Sequence, residues 1–407
     1  MKKNLFFMGL MALGMSLGMV SCSSDDDNKN DGGITEEQAQ NLDYSAELAN
    51  AWGNYALNVA NLLRADATLL YDAWTTGGFA NQFKNHTAGS GYQSAENCVE
   101  EIFQGCIDIA GEVGTAKIGE PVDYWTQGQR NKALYAVESW YSWHSRDDYK
   151  NNILSIANSF LGKVLDADVT LNASLASQAD QNSLYAICSA KPALSEQTEK
   201  VWNDVCAAWQ AIDNIPQPFR NNIGSTEAAE AMDACATLGE DLETLQALVA
   251  DNLSEDECQA IVNQFVDGVA LPTYSALKSK VEALYAVIQT LKNNPTNDNF
   301  EAAAEAWLAA RQPWESSEAF LFGPVAELGL DPNMDSWPLD AVGIYNLLQS
   351  QNWSEMSWTG DYDEESEAIE AAQSLRGFHT LEFLIFKDGQ PRKANEVIIT
   401  QLSEVVK

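Results

Sequence analysis

His379 and Glu382, three residues apart, are the pair in this chain best placed to do chemistry. At helical spacing they share one face, about 4.5 Å apart along the axis. They could close an imidazole–carboxylate hydrogen bond, or offer a nitrogen and an oxygen to a metal ion. Their surroundings make the pair costly. Phe378, Leu381, Phe383, Leu384, Ile385 and Phe386 point in well-spread directions around the same helix, and a helix that is apolar all round is a buried one. Burying ionisable groups costs several kcal/mol unless they are paired, hydrogen-bonded or metal-bound. The plain alternative is an internal His–Glu hydrogen bond that fixes packing.

Two other stretches concentrate similar chemistry. Trp307, Arg311, Trp314 and Glu318 recur at helical steps, so an Arg–Glu pair flanked by indoles is expected on one stripe. An ordinary interfacial salt bridge would explain it equally. Glu138-Ser139-Trp140-Tyr141-Ser142-Trp143-His144-Ser145-Arg146-Asp147-Asp148 gathers hydroxyls, aromatics and charges at the expected end of a helix. Ser145 reads as the N-cap of the next helix, with Asp147 and Asp148 in its first turn, which leaves Glu138, Ser139 and Ser142 unexplained. The connection through Asp331-Pro332 and Asp335 to Asp340 is rich in carboxylates and long enough to be functional. His86 lies among polar loop residues and reads as a solvated surface histidine.

The elements that must position these groups are all helical. Apolar residues at three- and four-residue steps predict a long helix from Glu36 to about Trp74 and another from Ala95 to Val113. Gly114 to Gln129 reads as a loop, Asn131 to Trp143 as a helix, and Leu171 to Ala190 and Glu196 to Ile212 as helices. Ile215-Pro216-Gln217-Pro218 is a break. Further helices are expected over Thr226–Asp251, Tyr274–Leu291 and Phe300–Gln312. The last two, Asp363–Lys387 and Ala394–Val406, bracket the end of the chain. Strand signals are lacking, so the fold class is all-α, built as helical bundles. Gly268 to Pro272 is the expected boundary between two bundle domains, residues 35–268 and 269–407.

Composition narrows the function classes. The chain has 407 residues and a formal charge of −36, which excludes a nucleic-acid backbone as partner on electrostatic grounds. Residues 1–22 read as an export signal: Lys2 and Lys3, an apolar run from Leu5 to Val20, then Ser21-Cys22. This arrangement is similar to a bacterial lipoprotein signal, with Cys22 lipidated. Residues 23–34 then form an acidic, flexible tether, and membrane association is expected only through the lipid. An outer-membrane lipoprotein, periplasmic or surface-exposed, is the expected location. Export permits disulfides. The remaining Cys98, Cys106, Cys188, Cys206, Cys235 and Cys258 allow many pairings, none selected by sequence. No C-x-x-C occurs to suggest a zinc ribbon.

Taken together, these residues resemble the imelysin-like family. Its G-x-H-x-x-E motif stands as Gly377, His379 and Glu382. Its tryptophan/arginine helix stands as Trp307, Arg311, Trp314, Glu318, Phe320, Phe322 and Gly323, followed by Trp337-Pro338. Its E-S-x-Y-S block stands as Glu138, Ser139, Tyr141, Ser142, Ser145 and Asp148, with Asn151 and Asn152 downstream. The order departs from the family's usual one, in which the E-S-x-Y-S block comes last, so a circular permutation is expected. The resemblance implies two similar helical bundles packed side by side, with the three blocks meeting at their interface.

It also implies a cell-envelope protein of iron uptake, binding iron or another divalent metal, an iron chelate or haem, and working with iron-transport components. Within that implication His379 and Glu382 are the metal ligands. Arg311 neutralises Glu318 or a bound anion, Gly377 allows close packing, and Trp307, Trp337, Glu138, Ser139, Ser142 and Asp148 complete the pocket. The family was first grouped with zinc metallopeptidases. A lone histidine in the motif, without the second found in the familiar zinc-protease helix, argues against that activity.

Overall fold

A computed structural model describes residues 34–86 and 91–394. The expected leader, Cys22, nearly all of the tether and the expected helix beyond Ala394 lie outside these residues. Within them the all-α expectation holds. The strand pairing present among the described residues is the two-residue hairpin of Phe386–Lys387 with Gln390–Pro391.

Eight helices frame the site: α1 (Ala49–Trp74), α2 (Ala95–Glu112), α3 (Ser145–Leu161), α4 (Ser195–Asn214), α5 (Thr226–Asn252), α6 (Leu271–Asn293), α7 (Asn297–Glu315) and α8 (Gly377–Ile385). Hydroxyls start several of them. Ser94 accepts from the Asn97 amide, Ser225 from Ala228 and Thr296 from Asn299. Each satisfies an amide that a helix start leaves without a partner. Ser145 departs from this pattern. It is the first residue of α3, and its hydroxyl donates to the Glu138 carbonyl instead of capping.

α1 packs along α6, α6 along α7, and α8 lies against α1 and α7. On the other side, α5 packs on α4 and α2, and α3 on α4 and α2. The two groups meet where α3 touches α7 and where α2 meets the turn Glu318–Phe320. The buried apolar side chains form one continuous cluster across both groups. α1 therefore stands with α6 to α8, although it precedes residue 268. The junction expected at Gly268–Pro272 is itself helical: Glu255–Phe265, a π-helical turn Val266–Ala270 and α6 follow without a break.

Local departures from the expected elements concentrate near the site. The helix expected from Glu36 divides into Glu36–Gln40 and α1. Gly114–Gln129, expected as a loop, is a π turn Val113–Lys117 and a helix Gly119–Thr126. Pro121 fits that helix because its first turn has no use for the missing N–H. The helix expected through Trp143 stops at Ala136, which frees residues 137–144 as a bend. Asp363–Lys387 is two helices, Glu367–Gln373 and α8, with Arg376 extended between them. Leu171–Ala190 likewise splits into a short 3-10 helix and Leu184–Ser189. All six cysteines in the described residues are free thiols.

Candidate functional site

The site begins with α8, whose nine residues are all buried. Gly377 opens it at φ +91°, and a Cβ there would stand 2.5 Å from the Met334 carbonyl oxygen. A side chain is excluded both by conformation and by space. This close approach brings the Asn333–Asp335 backbone against the helix start and sets Asp335 beside His379. Trp307 adds a second tie, donating its indole N–H to the Phe378 carbonyl at 2.9 Å and so fixing α7 to α8.

His379 is completely buried, with both ring nitrogens engaged. Nδ1 is 3.0 Å from Glu382 Oε2. Nε2 is 3.1 Å from Asp335 Oδ1 and 3.3 Å from Glu138 Oε1. Trp337 lies edge-on to the ring at 4.7 Å between centroids. Burial and the nearby Arg311 would discharge the imidazole, but the charge of Asp335 and hydrogen bonds to Asp335 and Glu138 dominate and lift it well above 6.5. Carboxylate oxygens on both sides of the ring favour an imidazolium that donates from each nitrogen. Its 3.3 Å approach to Arg311 Nη2 then sets two cations side by side, held there by shared carboxylates.

Glu382 turns its other oxygen to the opposite segment. Oε1 accepts from the Ser142 amide at 2.8 Å and from its hydroxyl at 2.7 Å. The bend at residues 137–144 makes this possible, with Ser139 at φ +50° and Trp143 at φ +61°. Ser139 donates to Asp148 Oδ2 at 2.5 Å, linking the bend to α3.

Arg311 is the charge centre. Its guanidinium meets Glu138 at 2.7 Å, Asp148 at 3.3 Å and Glu315 at 2.7 Å, and it also pairs with Asp335. Trp314 donates to the second Asp335 oxygen at 2.6 Å. The pairing expected between Arg311 and Glu318 is replaced by one with Glu315, because α7 ends at Glu315 and Glu318 lies in the following 3-10 turn. Lys117 reaches in from the π turn after α2 and pairs with Glu138 at 3.0 Å. Burial would raise the Glu138 carboxyl, but Lys117, the hydrogen bond from His379 and Arg311 pull it down to about 2. Burial pushes Glu315 and Glu318 well above their ordinary value. Carboxylates outnumber cations here: Glu138, Asp148, Glu315, Glu318, Asp335 and Glu382 surround Lys117, Arg311 and His379.

The structure thus brings together Glu138, Ser139, Ser142, Asp148, Arg311, Trp337, Gly377, His379 and Glu382, with Trp307 as a clamp. It also adds Asp335, Glu315 and Lys117, which the sequence reading left out of the site. Glu315 carried a signal, four residues after Arg311 on one helix. Asp335 lay in the carboxylate-rich connection already flagged. Lys117 carried none. His86 pairs outside this pocket, 3.1 Å from Gln259.

The ligand atoms of Glu138, Asp335 and His379 lie within 4.8 Å of one another, a nitrogen–oxygen–oxygen set that fits a divalent cation. Glu382 belongs behind the ring. It holds Nδ1 while Nε2 faces the other carboxylates, as carboxylates behind metal-bound histidines do. Among the described residues the ligand atoms grouped with His379 are those of Glu138 and Asp335, while Glu382, expected from sequence beside it, meets the Nδ1 side of the ring.

The family model described as Imelysin, in a peptidase class, matches residues 25–246 and 270–406. The chain belongs to the imelysin family. A crystal structure of an imelysin peptidase from Bacteroides ovatus is 49% identical and superposes with a TM-score of 0.81, covering 87% of this chain and 99% of that one. Iron-regulated protein A of Synechococcus elongatus is 33% identical over 131 residues. That match spans 32% of each chain, so the cyanobacterial protein's whole activity does not transfer by itself.

Proposed function

We propose that this imelysin-family chain is a cell-envelope lipoprotein of iron uptake that holds a metal cation in the pocket around His379. The observation that supports it is the buried excess of carboxylates, with Glu138, Asp335 and His379 close enough to share one ion. Binding there requires the Nε2 proton of His379 to leave, so the cation exchanges for a proton and affinity rises with pH. Glu382 keeps the Nδ1 proton and with it the tautomer that presents Nε2. Arg311 keeps Glu138 and Asp335 in place. The partners of His379 stand in direct contact at 3.0–3.3 Å, a spacing that suits a bare ion taking the place of a proton rather than haem or a chelate.

Peptidase activity is the competing reading. It is disfavoured because His379 and Glu382 have no exposed surface to present to a polypeptide. The test is metal analysis of the purified chain after Fe2+ loading, beside iron uptake by cells carrying His379→Ala. Bound iron that the substitution removes, with slower uptake, supports the reading. Iron-free protein with unchanged uptake overturns it. Chelator-sensitive proteolysis abolished by Glu382→Gln would establish the peptidase instead.

We also propose that the family order is circularly permuted, with the joint near residues 265–270. The unmatched gap of the family model, between residues 246 and 270, supports this placement. A chain rejoined with its second part first should fold and bind the same cation. Failure of that chain to fold would count against it.

A further inference from the structure

Resting on the reading that the pocket takes cations, we propose a second cation position beside the first, formed by Glu315, Glu318 and Asp335. Asp335 bridges the two. Ligand oxygens of these three residues lie within 4.8 Å of one another, and Asp335 also belongs to the set with Glu138 and His379. A carboxylate common to two ligand triads is the arrangement of a two-cation centre, whose ions sit about 3.5–4 Å apart.

The second triad is incompletely satisfied by the protein, and this points to a ligand. Glu318 is 8% exposed, yet among the described residues its carboxylate forms no hydrogen bond or ion pair. Arg311 spends its guanidinium on Glu138, Asp148, Glu315 and Asp335. Lys117 pairs with Glu112 and Glu138. Glu315 has no exposed surface, and its Oε1 lacks a hydrogen-bond donor of acceptable geometry although Arg311 Nη2 stands 2.7 Å away. Buried carboxylates in native proteins are matched by donors or cations, and here the nearby cations, Lys117 and Arg311, are each shared among several carboxylates.

The donors define the class of ion. All three are carboxylates, which favour a hard cation such as Mn2+ or Fe2+ over thiolate-seeking metals. The first position adds one imidazole, so the pair is asymmetric. The charged neighbours of Glu318 are mostly acidic: Lys117 is the one cation among them, beside Glu315, Asp331 and Glu112.

Mn2+ titration of the full chain provides the test, read by stoichiometry and by electron paramagnetic resonance. Wild type should bind two equivalents with the spectrum of a coupled pair. Glu318→Gln, which keeps the side-chain shape, should bind one uncoupled ion. Glu318→Asp should recover the second ion at lower affinity. Circular dichroism and the retained first ion verify that the variants fold. A single equivalent in wild type that is kept by Glu318→Gln and lost by His379→Ala overturns the second position and leaves the first standing. Two coupled ions in Glu318→Gln also overturn it. No bound Mn2+ in any variant removes both positions together.

Discussion

α5 and α8 handle the same side chain in opposite ways. On α5, apolar Ala231, Cys235, Leu238, Leu242 and Leu245 are buried at helical steps, while Glu230, Asp233, Glu240 and Glu243 are exposed. Water solvates each of those carboxylates, and none depends on a particular partner. α8 has no such outer face, so Glu382 must obtain its hydrogen bonds from His379 and Ser142. The difference teaches where this very acidic chain stores its constraints. Water solvates most of its charge, and the buried cluster around His379 is fixed by three separate segments.

Arg311→Ala should give the largest effect. It removes the cation shared by four carboxylates, and breaking a buried ion pair from one side costs about 3–5 kcal/mol. Guanidinium unfolding should show a loss of that size, or no cooperative transition at all. Gly377→Ala comes next, since it forces a side chain into φ +91° and toward the Met334 carbonyl. A loss of about 1–3 kcal/mol is expected for the backbone strain alone. A smaller loss would mean the α8 start can shift.

Acid should separate the two regions further. Glu138 is ordinarily at 4.5 and is held at about 2 in the fold. Its contribution is therefore complete above 4.5 and is lost as pH falls toward 2. Glu315 and Glu318, raised by burial, act in the opposite sense and cost stability as pH rises through their ordinary range. Unfolding curves at stepped pH should show the acid-side loss in wild type and a flatter dependence in Glu138→Gln. The smallest effect belongs to α5: Glu230→Gln should change stability by less than about 0.5 kcal/mol. A larger change there would undo the contrast.

The helical class and the buried character of α8 were legible because period and hydrophobicity are local properties. So were Arg311 and the Gly377, His379 and Glu382 motif. Boundaries near the site were not. The helix expected through Trp143 stops at Ala136, because Glu138, Ser139 and Ser142 reach Arg311, Asp148 and Glu382 more effectively from a bend. Arg311 was expected to meet Glu318 by assuming that helical spacing continued past Glu315, where the helix ends.

By itself the sequence determined that one histidine–glutamate pair would be buried in an apolar helix, and that it would need partners. It could not name them all. Asp335 and Lys117 enter from the end of a short helix and from a π turn with no periodic relation to His379: Asp335 meets the ring where Gly377 lets the Met334 backbone close in, and Lys117 joins through Glu138. Tertiary structure also decided which side of the imidazole each carboxylate takes, since that depends on the ring's orientation rather than on spacing. Partner choice in a buried polar cluster is set by distances between elements, and no single stretch of chain contains those distances.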